Sequence, residues 1–350
     1  MTLRPASALV AAAALASLAA CADSASVTAP TASSFSAGRN VEFNNPRHAF
    51  HTRQYFDDDD ARTGASRYAT SKSSGTGISD HGGTVLQNGT RVVAIYWGSS
   101  TYPVGYQNLP AGASTAGGAG DGSLIGTFLR SLGALRDAAA AKLYFNINGT
   151  YWGQQGSGVK INPAVSYTGY WNTAGTAGAP TPSASPTDAD MVALIQWGLT
   201  NGTLAYDANT IYAIFTGTGV NLGGGFGSQY CAYHTHGATT QGNVFYAAMP
   251  YNQEYPSGCT SGKASPNADV AANSELNTLA HEIEETTTDD MGNAWYDSRG
   301  YENGDKCAWT WGVTKTASNG GVYNQSYNGV YFLIQQNWVN AGSGGCATGY

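Results

Sequence analysis

Residues 276–290 read LNTLAHEIEETTTDD, and the fold turns on what this stretch is. Leu276, Leu279, Ala280 and Ile283 repeat at the i, i+3, i+4, i+7 spacing of an amphipathic helix. Asn273 or Ser274 is placed to cap its start. At about 100° per residue, His281, Glu285 and Asp289 fall within about 80° of one another, opposite the apolar stripe. The same face is what any solvated acidic helix presents, and Glu284 is assigned to solvent on that reading.

His281, Glu282 and Glu285 form an H-E-x-x-E pattern, one residue removed from the H-E-x-x-H of zinc peptidases. Two ligands at i and i+4 clamp one metal ion from a single helix face. In sites of that kind the Glu after the first His activates a metal-bound water, which is the part Glu282 would take.

Outward from this helix, strands and helices alternate. Residues 90–97 are a β-branched and aromatic run closed by Gly98, expected as a buried strand. Residues 123–136 carry apolar residues at helical spacing with Ser123 as cap. Residues 142–147 read as a strand, and 167–186 as a loop rich in Gly, Pro, Ser and Thr. A helix starts at Thr187–Asp188, strands follow at 210–215 and 244–249, and 330–334 is a late strand. The expected class is α/β (α+β): one domain, 78–350, with a mixed sheet and a zincin-like H-E-x-x-E helix.

The first 20 residues, with Arg4 and an Ala/Leu/Val run, read as a signal peptide too short to span a membrane. Leu18-Ala19-Ala20-Cys21 looks like a bacterial lipobox, which makes Cys21 a lipidation site and the membrane a partner through an acyl anchor. The other reading is a plain secretory signal with Cys21 incidental. Residues 21–77 lack periodicity and read as a flexible Ser/Ala/Gly-rich tether, with Asp57–Asp60 as a solvated acidic block. Of the 5 cysteines, lipidation of Cys21 leaves Cys231, Cys259, Cys307 and Cys346. An even set in an exported chain allows two disulfides. Cys231–Cys259 and Cys307–Cys346 close the shorter loops. Charged residues make up only 11% of the chain, the net charge is −7 and basic clusters are absent. Nucleic acid is therefore not an expected partner.

The helix runs on through Asp289-Asp290, Asn293-Ala294-Trp295-Tyr296 and Glu302-Asn-Gly-Asp305-Lys-Cys307. Upstream lie His81-Gly82-Gly83, Tyr96-Trp97-Gly98 and Cys231-Ala-Tyr-His234-Thr-His236. In this order, over roughly residues 78–312, the motifs resemble the EXORDIUM (phosphate-induced protein 1) family of secreted and cell-wall proteins. Asp289-Asp290 replaces an Asn-Pro of plant members, and one cysteine rather than two precedes the histidine pair. The resemblance implies secretion and a common fold, and no reaction.

A metal on His281 and Glu285 needs further ligands. Glu302 and Asp305 are the first choice, with His234 and His236, on one side of a strand at i, i+2, as rivals. Asp289 is expected to cap the helix or support a ligand. The donor set accepts zinc, and also manganese, iron or calcium. Trp295, Tyr296, Trp309 and Trp311 either line a cleft for peptide or glycan or pack the core. Two functions follow. One is an exported, lipid-anchored metallohydrolase, most simply a peptidase. The other is a non-catalytic envelope module, binding glycan or protein, with a structural ion or none.

Overall fold

A strand covered on both faces needs an unbroken apolar run, and three such runs make the centre of one sheet. The computed structural model describes residues 49–63, 77–98, 106–153 and 157–350. The signal peptide, Cys21 and much of the tether lie outside them. In chain order come strand β1 (Ala49–His51), helix α1 (Arg53–Thr63), β2 (Ser79–Asp80), β3 (Thr90–Trp97), β4 (Ala113–Ser114), α2 (Leu124–Ser131) and β5 (Arg136–Asp137). β6 (Val165–Asn172), α3 (Asp188–Thr200), β7 (Thr210–Thr216), β8 (Tyr230–Thr239) and β9 (Gly242–Met249) follow. α4 (Pro256–Cys259), α5 (Val270–Thr288) and β10 (Trp295–Tyr296) lead to short C-terminal strands.

The main sheet has seven strands in the order β1-β8-β9-β7-β3-β6-β4. β9, β7, β3 and β6 run parallel, while β8, β1 and β4 join antiparallel. The molecule is therefore mixed α/β around a large mixed sheet. Side-chain alternation divides each central strand between two cores. Val92, Ala94 and Tyr96 face α2 and α5. Val93, Ile95 and Trp97 face α3. Helix α2 begins where Ser123 Oγ accepts from the Gly126 amide, and α3 opens on a capping box of Thr187 and Asp190.

Several elements depart from the sequence reading. Residues 142–147 are not a strand: Tyr144–Thr150 is a 3-10 helix whose Tyr144 and Ile147 are buried at its three-residue period. Strand β6 lies inside the expected loop, because Tyr170 and Trp171 bury and its backbone pairs with β3 despite its Ser, Thr and Gly content. The middle of the expected tether is structured. β1 pairs with β8, and Phe50 and Phe56 are fully buried. Helix α5 starts earlier than expected, with Asp269 accepting from Ala272 N at 3.0 Å, not at Asn273 or Ser274. Among the described residues no helix is long and apolar enough to cross a membrane.

Candidate metal centre

Helix α5 has no solvated side from Glu275 onward. Leu276, Leu279, Ala280 and Ile283 join the core under the sheet. The opposite side, expected to meet water, is covered by residues 301–309 and 332–338, which bury Tyr301, Glu302, Asp305, Cys307, Leu333, Gln335 and Trp338. Glu284, assigned to solvent from sequence, is fully buried, and neither carboxylate oxygen has a hydrogen-bond partner.

Between the helix, β8 and this covering layer, six chemistry-bearing side chains converge. His281, Glu282 and Glu285 come from α5, His234 from β8, and Glu302 and Asp305 from the segment after β10; each is at most 1% exposed. β8 alternation explains His234, which shares the α5-facing side with Ala232. His281 Nε2 lies 2.9 Å from Glu285 Oε1 and 3.7 Å from Asp305 Oδ1. His234 Nε2 lies 3.2 Å from Glu302 Oε2 and 3.5 Å from Glu285 Oε2. Donors around a tetrahedral ion with bonds of about 2.1 Å stand about 3.4 Å apart, so these separations fit shared coordination as well as they fit hydrogen-bonded ion pairs. Two groups have all their ligand atoms within 4.8 Å of one another: His234, Glu282 and Glu285, and His281, Glu285 and Asp305.

The hydrogen bonding points the same way. Asp305 Oδ1 is buried without a hydrogen-bond partner, His281 Nε2 and Glu285 Oε2 face only other members of the cluster, and Glu282 has only the Phe50 backbone beside it. Buried polar atoms in that state are costly unless something absent from the polypeptide satisfies them. The surrounding bonds fix the ligands' positions. The Asp305 amide donates to Glu285 Oε1 at 3.0 Å, and the Glu302 amide donates to Asp305 Oδ2 at 3.3 Å. Gln335 Nε2 lies 3.0 Å from His281 Nδ1 and donates to Gly304 O at 2.9 Å. Gly304 is required by proximity, since a Cβ there would sit 2.7 Å from His281 Nδ1 and 3.0 Å from Glu285 Oε1.

The electrostatics are those of several acids sharing one dry space. Burial raises Glu282 and Asp305 well above the usual carboxylate range, helped by the neighbouring Glu285 and Glu302 charges. Burial likewise pushes Glu302 up to about 8. Burial would raise Glu285 too, but the His281 and His234 rings beside it bring it down to about 2. For His234 burial acts downward, and the Glu302 and Glu285 carboxylates outweigh it and hold the ring well above its ordinary value. Without a cation, the cluster balances its charge with protons.

The other sequence candidates fall elsewhere. His236 is half-buried further along β8 and belongs to neither group. Asp289 ends α5, its Oδ1 accepting from Asn293 N at 2.6 Å and Ala294 N at 2.8 Å, so it shapes the chain leaving the helix. His81 stacks on Tyr296 at 3.7 Å. Trp295 and Trp309 are core residues, Trp309 at the same time lining a small cavity. Sequence reasoning missed Phe50, whose ring lies 4.3 Å from His281 and stacks on Trp309 at 4.8 Å. It also missed Gln335; neither stands in a motif. A cavity of about 70 Å³ is lined by Asn277 and Trp309 but by none of the six.

The cysteines pair as Cys231–Cys259 and Cys307–Cys346, anchoring the chain close to His234 and Asp305. Two disulfides agree with an exported protein. Comparison of the chain with family models, curated proteins and solved structures finds no match.

Proposed function

We propose that this chain is an exported cell-envelope protein, lipid-anchored at Cys21, whose H-E-x-x-E helix carries a divalent metal centre that holds the C-terminal layer onto the sheet. The ordered motifs over 78–312 support a relationship to the EXORDIUM family. One observation carries the metal reading: two histidines and four carboxylates converge out of contact with water, with their ligand atoms turned mainly toward one another. Zinc suits the nitrogen donors, and the oxygen-rich remainder also suits manganese or iron.

Closed sites are structural, whereas catalytic sites keep a position open for water and substrate. Here every donor is buried, and Phe50 covers His281. The closed reading is therefore the better supported, with the protein acting as a binding module for envelope glycan or protein. One feature favours a metallohydrolase instead. Glu282 groups with His234 and Glu285, its carboxylate next to the Phe50 backbone and beside the metal position, where a general base would stand.

Elemental analysis of the domain, expressed into an oxidising compartment, tests the reading beside His281→Ala. At least one equivalent of divalent metal, lost in the variant and whose chelation lowers Tm, is the expected result. Metal-dependent hydrolysis of peptide or glycan that vanishes in Glu282→Gln would replace the module with the hydrolase. Protein that binds no divalent metal, with Tm indifferent to chelator, would end both readings.

A further inference from the structure

We propose that the centre is dinuclear, with Glu285 bridging two divalent ions. His281 and Asp305 complete one position, and His234, Glu302 and Glu282 complete the other. This rests on the reading that the cluster binds metal at all, and goes beyond it in stoichiometry and geometry.

The first argument is the disposition of Glu285. Its two carboxylate oxygens face different histidines, Oε1 toward His281 Nε2 at 2.9 Å and Oε2 toward His234 Nε2 at 3.5 Å. Each histidine then has its own second carboxylate, Asp305 at 3.7 Å from His281 and Glu302 at 3.2 Å from His234. A single ion bound by one set leaves the other set's histidine and acids held by their direct hydrogen bonds and charge pairing alone. Paired ions about 3.5–4 Å apart are the usual span of a carboxylate bridge.

The second argument is charge. Glu282, Glu285, Glu302 and Asp305 ionised carry −4, and the histidines as ligands are neutral. One divalent ion leaves a net −2 in a space closed to water, which two protons must then cover at the cost of two ligand oxygens. Two divalent ions bring the sum to zero. The same inventory, four carboxylates and two histidines, serves dinuclear iron and manganese sites built inside helix bundles.

The third argument is orphaned atoms in both halves. Asp305 Oδ1 makes no hydrogen bond on the His281 side of Glu285, and on the His234 side Glu282 has only the Phe50 backbone beside it. One cation would satisfy only one side.

The test loads the full chain with Mn2+ during oxidative folding, then reads metal content and electron paramagnetic resonance. The expected result is two manganese ions per chain with an exchange-coupled signal. Asp305→Asn and Glu302→Gln should each retain about one ion and lose the coupling. One ion per wild-type chain would overturn the dinuclear proposal and leave the metal centre standing. Two ions without coupling would also overturn it, because the second then sits elsewhere. No bound ion, with Zn2+ and Fe2+ failing equally, would remove both. Wild-type stoichiometry and coupling decide the matter even where a variant fails to fold.

Discussion

Glu275 lies on α5 one and a half turns before His281, fully buried, where its Oε1 accepts from the Asn252 amide at 2.7 Å. Burial without a facing cation pushes its carboxyl up to about 8 from 4.5. The folded chain thus keeps a proton that the unfolded chain has released, and the sign follows. The group's contribution is intact below about pH 4.5 and is lost as pH rises through about 8, at up to about 1.4 kcal/mol per unit. Glu275→Gln keeps the shape and never ionises. Its Tm is expected to gain on wild type progressively from pH 5 to pH 9, and parallel curves would refute the assignment. Gly304 is the second residue whose identity the site dictates. A methyl group there meets the His281 ring and Glu285, so Gly304→Ala should cost about 1–3 kcal/mol in chemical denaturation. It should also lower metal content, and an unchanged metal content would show that the loop yields and the ligands do not depend on it.

At the scale of elements, β1 is a three-residue edge strand, yet its Phe50 lies against His281 and stacks on Trp309. Truncating a buried phenylalanine costs about 3–5 kcal/mol. In Phe50→Ala the more specific outcome is access: a chelator should strip metal from the folded variant several-fold faster than from wild type. Equal rates would mean that Phe50 is packing alone and not the cover. No sequence pattern announces this strand, because three residues are too few for alternation to register. The longer elements were legible for the converse reason. Within the runs 90–97, 210–215 and 244–249, residues 92–97, 211–215 and 244–249 are unbroken apolar stretches rich in β-branched and aromatic residues, as a strand covered on both faces requires. The apolar stripe of α5 and the ligand pair His281 and Glu285 were legible from 3.6-residue periodicity. The environment of its polar side was not. Carboxylates that face a second protein layer carry the same letters as carboxylates that face water, so Glu284 was placed in solvent. Glu302 and Asp305 were found by proximity in sequence, but that His234 rather than His236 joins them depends on where β8 stops facing the helix.

For the whole molecule, the histidine–carboxylate cluster joins three parts of the chain: β8, α5 and the layer that follows β10. Two disulfides reinforce the same junction. Cys307, two residues after Asp305, is tied to Cys346 across 39 residues, and Cys231, three residues before His234, to Cys259 across 28. Closing a loop of 39 residues restricts the unfolded chain by about 4 kcal/mol on the chain-entropy estimate. Opening that bridge also frees the C-terminal strand that clamps the layer over α5, so the loss should not be confined to the unfolded state. The paired variant Cys307→Ser with Cys346→Ser is expected to lose about 4 kcal/mol in denaturant without metal. With metal present the deficit should widen, because metal stabilises each folded chain by RT ln(1 + [metal]/Kd) and the loosened layer of the variant holds it with the larger Kd. Denaturation of wild type and variant across a series of free metal concentrations measures this directly. A deficit that stays constant over the series would mean that the bridge and the metal centre stabilise independent parts of the molecule, contrary to their shared position over α5.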